Sequence, residues 1–278
     1  MAPPRGRIVE GDNLPVLRSQ PAESVQLVYT DPPFNTGNVR TYQRLRTTQA
    51  HDGDRTGFGG RRYRSEPAST HSYADAFEEY LDFLAPRLSE IWRLLRPDGA
   101  LYLHLDAREV HYVKVLLDNI FGRDCFLNEI IWAYDFGGRP KRRWPAKHDN
   151  ILVYVKDRER YVFNREDIDR IPYLAPGLVG KEKAERGKLP TDVWWHTIVG
   201  TNARERTGYP TQKPIALAER IIRASSDPGE LVLDPFAGSG TVGAAAEQLD
   251  RRYLLMDSNP EAIAVMRERL PQATVSRQ

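Results

Sequence analysis

The apolar run Leu231-Val232-Leu233 leads directly into Asp234-Pro235-Phe236-Ala237-Gly238-Ser239-Gly240-Thr241 and an alanine-rich stretch. A strand stopped by proline, a turn relaxed by two glycines and an immediate helix start together describe a β-turn-α unit. The glycines let backbone approach a ligand closely, and the helix start offers free N–H groups. The next strand-like run, Tyr253–Met256, is followed by Asp257, 23 residues beyond Asp234. A carboxylate there is placed to bind the two hydroxyls of a ribose.

Gly238-x-Gly240-x-x-Gly243 also fits a dinucleotide-binding pattern, which is weak by itself. Two features count against a dinucleotide. Only 21 residues follow Asp257, too few for the later strands that a dinucleotide fold would place there. Asp234 also precedes the glycines, where its charge would repel a pyrophosphate. A ligand with a positively charged amino acid end suits that carboxylate better, and S-adenosylmethionine has such an end together with a ribose and an adenine.

Upstream, Val25-Gln26-Leu27-Val28-Tyr29-Thr30 is a β-rich run that stops at Asp31-Pro32-Pro33-Phe34. Two prolines cannot continue a sheet ladder, so the strand's carboxyl end presents Asp31. This stiff tetrapeptide suits an exocyclic amino group. The Asp31 carboxylate and the Pro32 carbonyl can each accept one N–H, Pro33 fixes their direction, and Phe34 offers a ring face to a planar base. Two acceptors draw the nitrogen towards tetrahedral geometry and free its lone pair for in-line attack on a methyl sulfonium, so positioning and electrostatics carry the rate. The same residues would also serve as a plain strand-terminating turn.

Between these turns the apolar spacing predicts a helix over Tyr73–Leu95, a turn at 96–99, a strand over 100–105, a helix over 108–121 and strands near 129–134 and 150–156. Residues 35–70 have no period and read as a long loop. Residues 157–208 lose the pattern and read as an inserted lobe; of Trp194 and Trp195, one ring is expected in a local core. A helix from Pro214 restores the alternation. Continuous apolar strands alternating with helices argue an α/β fold with a doubly wound, mainly parallel sheet.

The formal charge of the 278 residues is only +2, but it is unevenly spread. Residues 35–70 hold seven arginines against three acids, and residues 137–149 hold five Lys/Arg against Asp149, a net +4 in each. Basic loops with interleaved Tyr63 and Trp144 suit phosphate contact and base stacking. The single cysteine, Cys125, forms no internal disulfide, the six histidines show no metal-ligand spacing, and no run approaches the ~20 apolar residues of a membrane span. A membrane protein, a disulfide scaffold and a zinc enzyme are therefore not expected, nor is any metal. The N-terminal residues lack an apolar signal core, and a cytoplasmic location is expected.

Taken together, Asp31-Pro32-Pro33-Phe34 near the start, Thr211-Gln212-Lys213-Pro214 and the Asp234–Thr241 turn resemble the β-group of S-adenosylmethionine-dependent DNA amino-methyltransferases. The resemblance implies a circularly permuted Rossmann-like methyltransferase fold with an inserted target-recognition lobe. Residues 1–156 would be the catalytic half including the basic loop, 157–208 the target-recognition lobe, and 209–278 the cofactor-binding half. Asp31, Pro32, Pro33 and Phe34 would hold the target base. Asp12, Thr211, Lys213, Asp234, Pro235, Phe236, Gly238, Ser239, Gly240 and Asp257 would line the S-adenosylmethionine site. Arg61, Arg62, Arg64, Arg139, Lys141, Arg142 and Arg143 would contact double-stranded DNA from which the target base is flipped. Adenine N6 is the preferred target and cytosine N4 the alternative; an inactive DNA-binding protein is the reading from another class. A homodimer and a companion restriction endonuclease are the further partners the resemblance suggests.

Overall fold

The computed structural model describes residues 5–35, 38–49, 52, 55–56, 62–75 and 79–278. They form two compact units, one made of Met1–Phe34 with Glu79–Gln278 and the other of Asn35–Glu78.

In chain order the elements are β1 (Gly6–Glu10), α1 (Asn13–Ser19), β2 (Val25–Thr30), β3 (Asn38–Gln49), β4 (Arg55–Thr56), β5 (Arg62–Asp75), α2 (Tyr80–Leu94), β6 (Leu95–Leu105), α3 (Val110–Phe121), β7 (Phe126–Ala133) and β8 (His148–Val155). They continue with α4 (Lys181–Arg186), β9 (Val193–Trp195), α5 (Ile215–Ser225), β10 (Leu231–Asp234), α6 (Thr241–Gln248), β11 (Arg252–Asp257), α7 (Pro260–Arg269) and β12 (Thr274–Arg277).

The larger unit is built on a nine-stranded sheet in the order β12-β1-β11-β10-β2-β6-β8-β7-β9. Every pairing is parallel except the two that β8 makes with β6 and β7. The centre joins distant parts of the chain, with Val232 of β10 in register with Leu27 of β2. That pairing brings the Asp-Pro turns after β2 and β10 to one sheet edge. All six residues of β2 are buried, as expected of a parallel strand covered on both faces.

The two layers of helices follow from the alternation of side chains across the sheet. On one face Leu217, Ala218, Ile221 and Ile222 of α5, Ala244–Ala246 of α6 and Ile263 and Met266 of α7 pack with Leu27, Tyr29 and Leu255. Leu84, Leu88 and Ile91 of α2 and Val113 and Leu117 of α3 are buried as well, at helical spacing. α6 lies very close to the sheet: a Cβ on Gly243 would sit 2.6 Å from Leu255 Cδ1. A larger residue there would have to displace the Leu255 and Leu270 side chains.

Several expectations need correction. Residues 35–70 are not one irregular loop, because β3 and β5 pair antiparallel from Asn38↔Asp75 to Gln49↔Tyr63, with β4 added on β5. The helix expected from Tyr73 starts at Tyr80, since residues up to Asp75 belong to β5. The turn at 96–99 lies inside β6 as an irregularity: the register passes from Val25↔Leu95 to Leu27↔Ala100. Residues 157–208 are largely irregular, as their loss of pattern suggested, and their β9 extends the main sheet beside β7. Trp194 there is buried, its indole N–H donating to the Thr191 carbonyl at 2.7 Å, whereas Trp195 is exposed.

Candidate active site

The chain leaves β2 at Thr30 and turns through Asp31-Pro32-Pro33-Phe34. The Tyr80 hydroxyl fixes this turn by donating to the Pro33 carbonyl at 2.6 Å. Asp31 Oδ2 is paired with the ammonium of Lys213, from the Thr211–Pro214 segment. Asp31 Oδ1 is buried and has no hydrogen-bond partner. A buried carboxylate oxygen without a donor is costly unless a ligand supplies one. Among the described residues no hydrogen bond falls on the Pro32 carbonyl either. Two acceptors thus stand adjacent and unengaged. The Lys213 ammonium also lies 5.0 Å from the centre of the Phe34 ring.

Behind Phe34 is a buried polar cluster that the sequence did not reveal. His104 is fully buried, with its ring centre 6.0 Å from that of Phe34. Its Nε2 lies 3.3 Å from Asp149 Oδ2 and its Nδ1 3.4 Å from the Tyr29 hydroxyl, and Trp132 meets the ring edge-on at 5.5 Å. Burial alone would raise the Asp149 carboxyl, but the His104 hydrogen bond and charge, with Lys213 and Tyr134, hold it below the usual carboxylate value.

The turn after β10 lies one strand away. Asp234 is buried, and its Oδ1 accepts the Thr30 hydroxyl at 2.8 Å and the Phe236 N–H at 3.1 Å. Among the described residues its Oδ2 has no partner. Burial raises the carboxyl to about 7, the two hydrogen bonds oppose that rise, and the charges of Asp31 and Asp257 add to it. Asp257 is likewise raised by burial, with Oδ2 accepting the Gly238 N–H at 2.8 Å and Oδ1 the Asn259 N–H at 2.9 Å. Gly240 caps α6 with φ +70°, and a Cβ there would sit 2.8 Å from Met266 Cγ. Only glycine suits that position.

The remaining candidates are tied into the same edge in different ways. Asp12 caps α1 through the Leu14 N–H and pairs with Arg87 at 2.8 Å. Arg87 also donates to Asn13, which in turn donates to the Pro235 carbonyl at 2.7 Å, so one arginine ties the turn after β1 to the turn after β10. The Phe236 ring centre lies 6.0 Å from that of Phe83. The buried Ser239 hydroxyl lies 3.0 Å from that of Thr241. Thr211 is exposed with φ +59°, and Gln212 holds its loop by accepting the Thr207 N–H and hydroxyl. Arg87 and His104 act through partners 45 to 75 residues away, so no local signal marks them.

Of the basic residues expected on DNA, Arg139, Lys141, Arg142 and Arg143 are exposed on the connection between β7 and β8. Arg62 and Arg64 are exposed on β5, with Arg64 paired to Asp52; Arg61 lies outside the described residues. Among the described residues no group of three or more His, Cys, Asp or Glu is arranged to hold a metal ion, and no helix is long and apolar enough to cross a membrane.

The sequence profile of the N6/N4 family described as DNA methylase matches residues 25–268. Type II methyltransferase M.HpaI of Haemophilus parainfluenzae is 31% identical over 95% of this chain and 74% of its own. DNA adenine methyltransferase YhdJ of Escherichia coli is 30% identical over 96% of this chain and 83% of its own. Among solved structures, the cytosine-N4-specific PvuII DNA methyltransferase superposes with a TM-score of 0.65 at 20% identity, covering 96% of this chain and 88% of its own, a likeness of fold. The DNA modification methylase TTHA0409 of Thermus thermophilus, complexed with S-adenosyl-L-methionine, gives 0.59 at 25% identity over 98% and 97%. With the profile spanning most of the chain, and with the Asp-Pro turns of β2 and β10 side by side on one sheet edge, this protein belongs to the N6/N4 DNA methylase family.

Proposed function

We propose that this chain transfers a methyl group from S-adenosylmethionine to the exocyclic amino group of a base in double-stranded DNA, with adenine N6 as the target. The observation that carries the reading is the pair of unengaged acceptors at the end of β2, Asp31 Oδ1 and the Pro32 carbonyl, beside an aromatic ring. An exocyclic amino group has two N–H donors on a planar ring, and it fits all three features.

The cofactor, when bound, supplies an electrophilic methyl group on a sulfonium. The donor set fits it: Asp234 has a free oxygen and a carboxyl raised to about 7, so a cation opposite would favour its ionised form. Asp257 stands half-buried at the end of the next strand, with lone pairs left for hydroxyls after accepting two backbone N–H groups. Lys213 keeps the Asp31 carboxylate oriented by holding Oδ2, which leaves Oδ1 to accept one amino N–H while Pro32 accepts the other. Phe34, backed by His104, stacks on the base. With both N–H bonds held, the nitrogen lone pair is turned towards the methyl group that the cofactor would supply, its sulfur keeping the S–C bonding pair and leaving as a neutral thioether, and Asp31, which accepts one N–H, would take the proton that the nitrogen sheds. The base must leave the duplex to reach this edge.

Adenine is favoured over cytosine by the likeness to an adenine methyltransferase across nearly the whole chain. Exposing duplex DNA to methyl-labelled S-adenosylmethionine, digesting to nucleosides and identifying the label by mass spectrometry tests the reading. Labelled N6-methyladenine is expected. N4-methylcytosine would keep the mechanism and change the base, and no labelled base with cofactor bound would leave a DNA-binding protein without activity.

A further inference from the structure

The connection between β7 and β8 leaves the sheet at Ala133 and returns at His148. Because β8 runs against β6, with Leu105 opposite Asn150, this connection rises from the same edge as Asp31 and Asp234. Its root is closed by the Tyr134 N–H donating to the Lys147 carbonyl at 3.0 Å and by the Lys147 ammonium donating to the Gly137 carbonyl at 2.8 Å. The Tyr134 hydroxyl donates to Asp149 at 3.2 Å, and Asp149 meets the His104 that backs Phe34. The root is therefore fastened to the base-holding turn.

Beyond the root the connection carries Arg139, Lys141, Arg142 and Arg143, exposed and without an ion-pair partner among the described residues, followed by Trp144. Trp144 is 93% exposed. An indole left in water forgoes the burial that tryptophan ordinarily gains, and three adjacent cations make this surface attractive to phosphates. Trp144 is five residues from Asp149, a reach of at most about 18 Å.

We propose that Trp144 is the wedge that enters the base stack and occupies the space left by the flipped target base, with Arg142 and Arg143 holding the flanking phosphates. The proposal rests on the reading of the chain as a methyltransferase of DNA amino groups. A flat apolar ring among cations stacks on bases and not on phosphates. Filling the vacated space keeps the neighbouring bases stacked and so lowers the cost of extrusion. Trp195, also exposed, is a weaker choice because it is held on β9 in register with Ala133 and has no lysine or arginine beside it in sequence.

The test compares single-turnover methyl transfer by wild type, Trp144→Ala, Trp144→Phe and Trp195→Ala on two duplexes. One is a duplex that the wild type methylates; the other is identical but lacks the base opposite the target, so extrusion is easy. Trp144→Ala is expected to be slower by about 30-fold on the paired duplex and within about threefold of wild type on the unpaired one, with Trp144→Phe between them and cofactor affinity unchanged. Equal rates for Trp144→Ala and wild type on the paired duplex would overturn the proposal. Equal slowing on both duplexes would do so too, as would the rescue pattern appearing in Trp195→Ala instead. If no duplex is found that the wild type methylates, it is the underlying methyltransferase reading that fails.

Discussion

Two adjacent parallel strands, β2 and β10, end in the same dipeptide, Asp-Pro, yet the two carboxyl groups lie in contrasting surroundings. Asp31 faces a cation, Lys213, and one of its oxygens is buried and bare. Asp234 is stabilised only by a hydroxyl and a backbone N–H, and its carboxyl rises to about 7. The first carboxylate has a cation on one oxygen and no hydrogen-bond donor on the other; the second has two neutral donors on one oxygen and no counter-ion. On the proposed reading, what surrounds each Asp-Pro turn, and not the turn itself, suits one to a neutral amino group and the other to a cationic cofactor.

The sharpest way to break this division is Asp31→Ala. Single-turnover transfer should fall by at least about 10³-fold, because the acceptor that orients the amino group is gone, while calorimetry should find cofactor affinity within about threefold of wild type. Asp234→Asn should do the converse. The amide oxygen still accepts from Thr30 and Phe236, but cofactor affinity should fall by roughly 10- to 100-fold without the charge. The same substitution has a signature in stability. Folding raises the Asp234 carboxyl from about 4 to about 7, so its contribution to stability is full below about pH 4 and is lost as pH climbs through 7. Asp234→Asn should therefore melt higher than wild type at pH 8, and the advantage should shrink towards pH 5. Gly240→Ala should lower stability by about 1–3 kcal/mol in thermal melts, since φ +70° and Met266 both oppose a methyl group. Phe34→Tyr should change transfer least, within about threefold, because the stacking face is kept.

Much of this edge was legible in sequence because proline and glycine act locally: two prolines end β2 at Asp31, and the Asp234–Gly240 turn declares a strand and a helix on either side. The apolar continuity of β2, β10 and β11 likewise announced buried parallel strands. Residues 35–75 escaped because β3 and β5 mix Arg, Gln, Thr and Ser with few apolar residues, which erases the period of two. The His104–Asp149 and Arg87–Asp12 pairs have no short-range signature, since each side chain looks ordinary until the sheet brings it to its partner. Lys213 was expected beside the cofactor, and the structure shows its ammonium on Asp31, 182 residues away in the chain.

The division of labour between the two carboxylates is tested most directly by measuring S-adenosylmethionine affinity at pH 6 and pH 8 in wild type, Asp31→Ala and Asp234→Asn. With a carboxyl near 7, Asp234 is about one-tenth ionised at pH 6, so wild type should bind about tenfold more tightly at pH 8, Asp31→Ala should keep a somewhat smaller gain because the Asp31 charge no longer helps raise Asp234, and Asp234→Asn should lose that part of the pH dependence. The same tenfold gain in Asp234→Asn, or its loss in Asp31→Ala, would contradict the account.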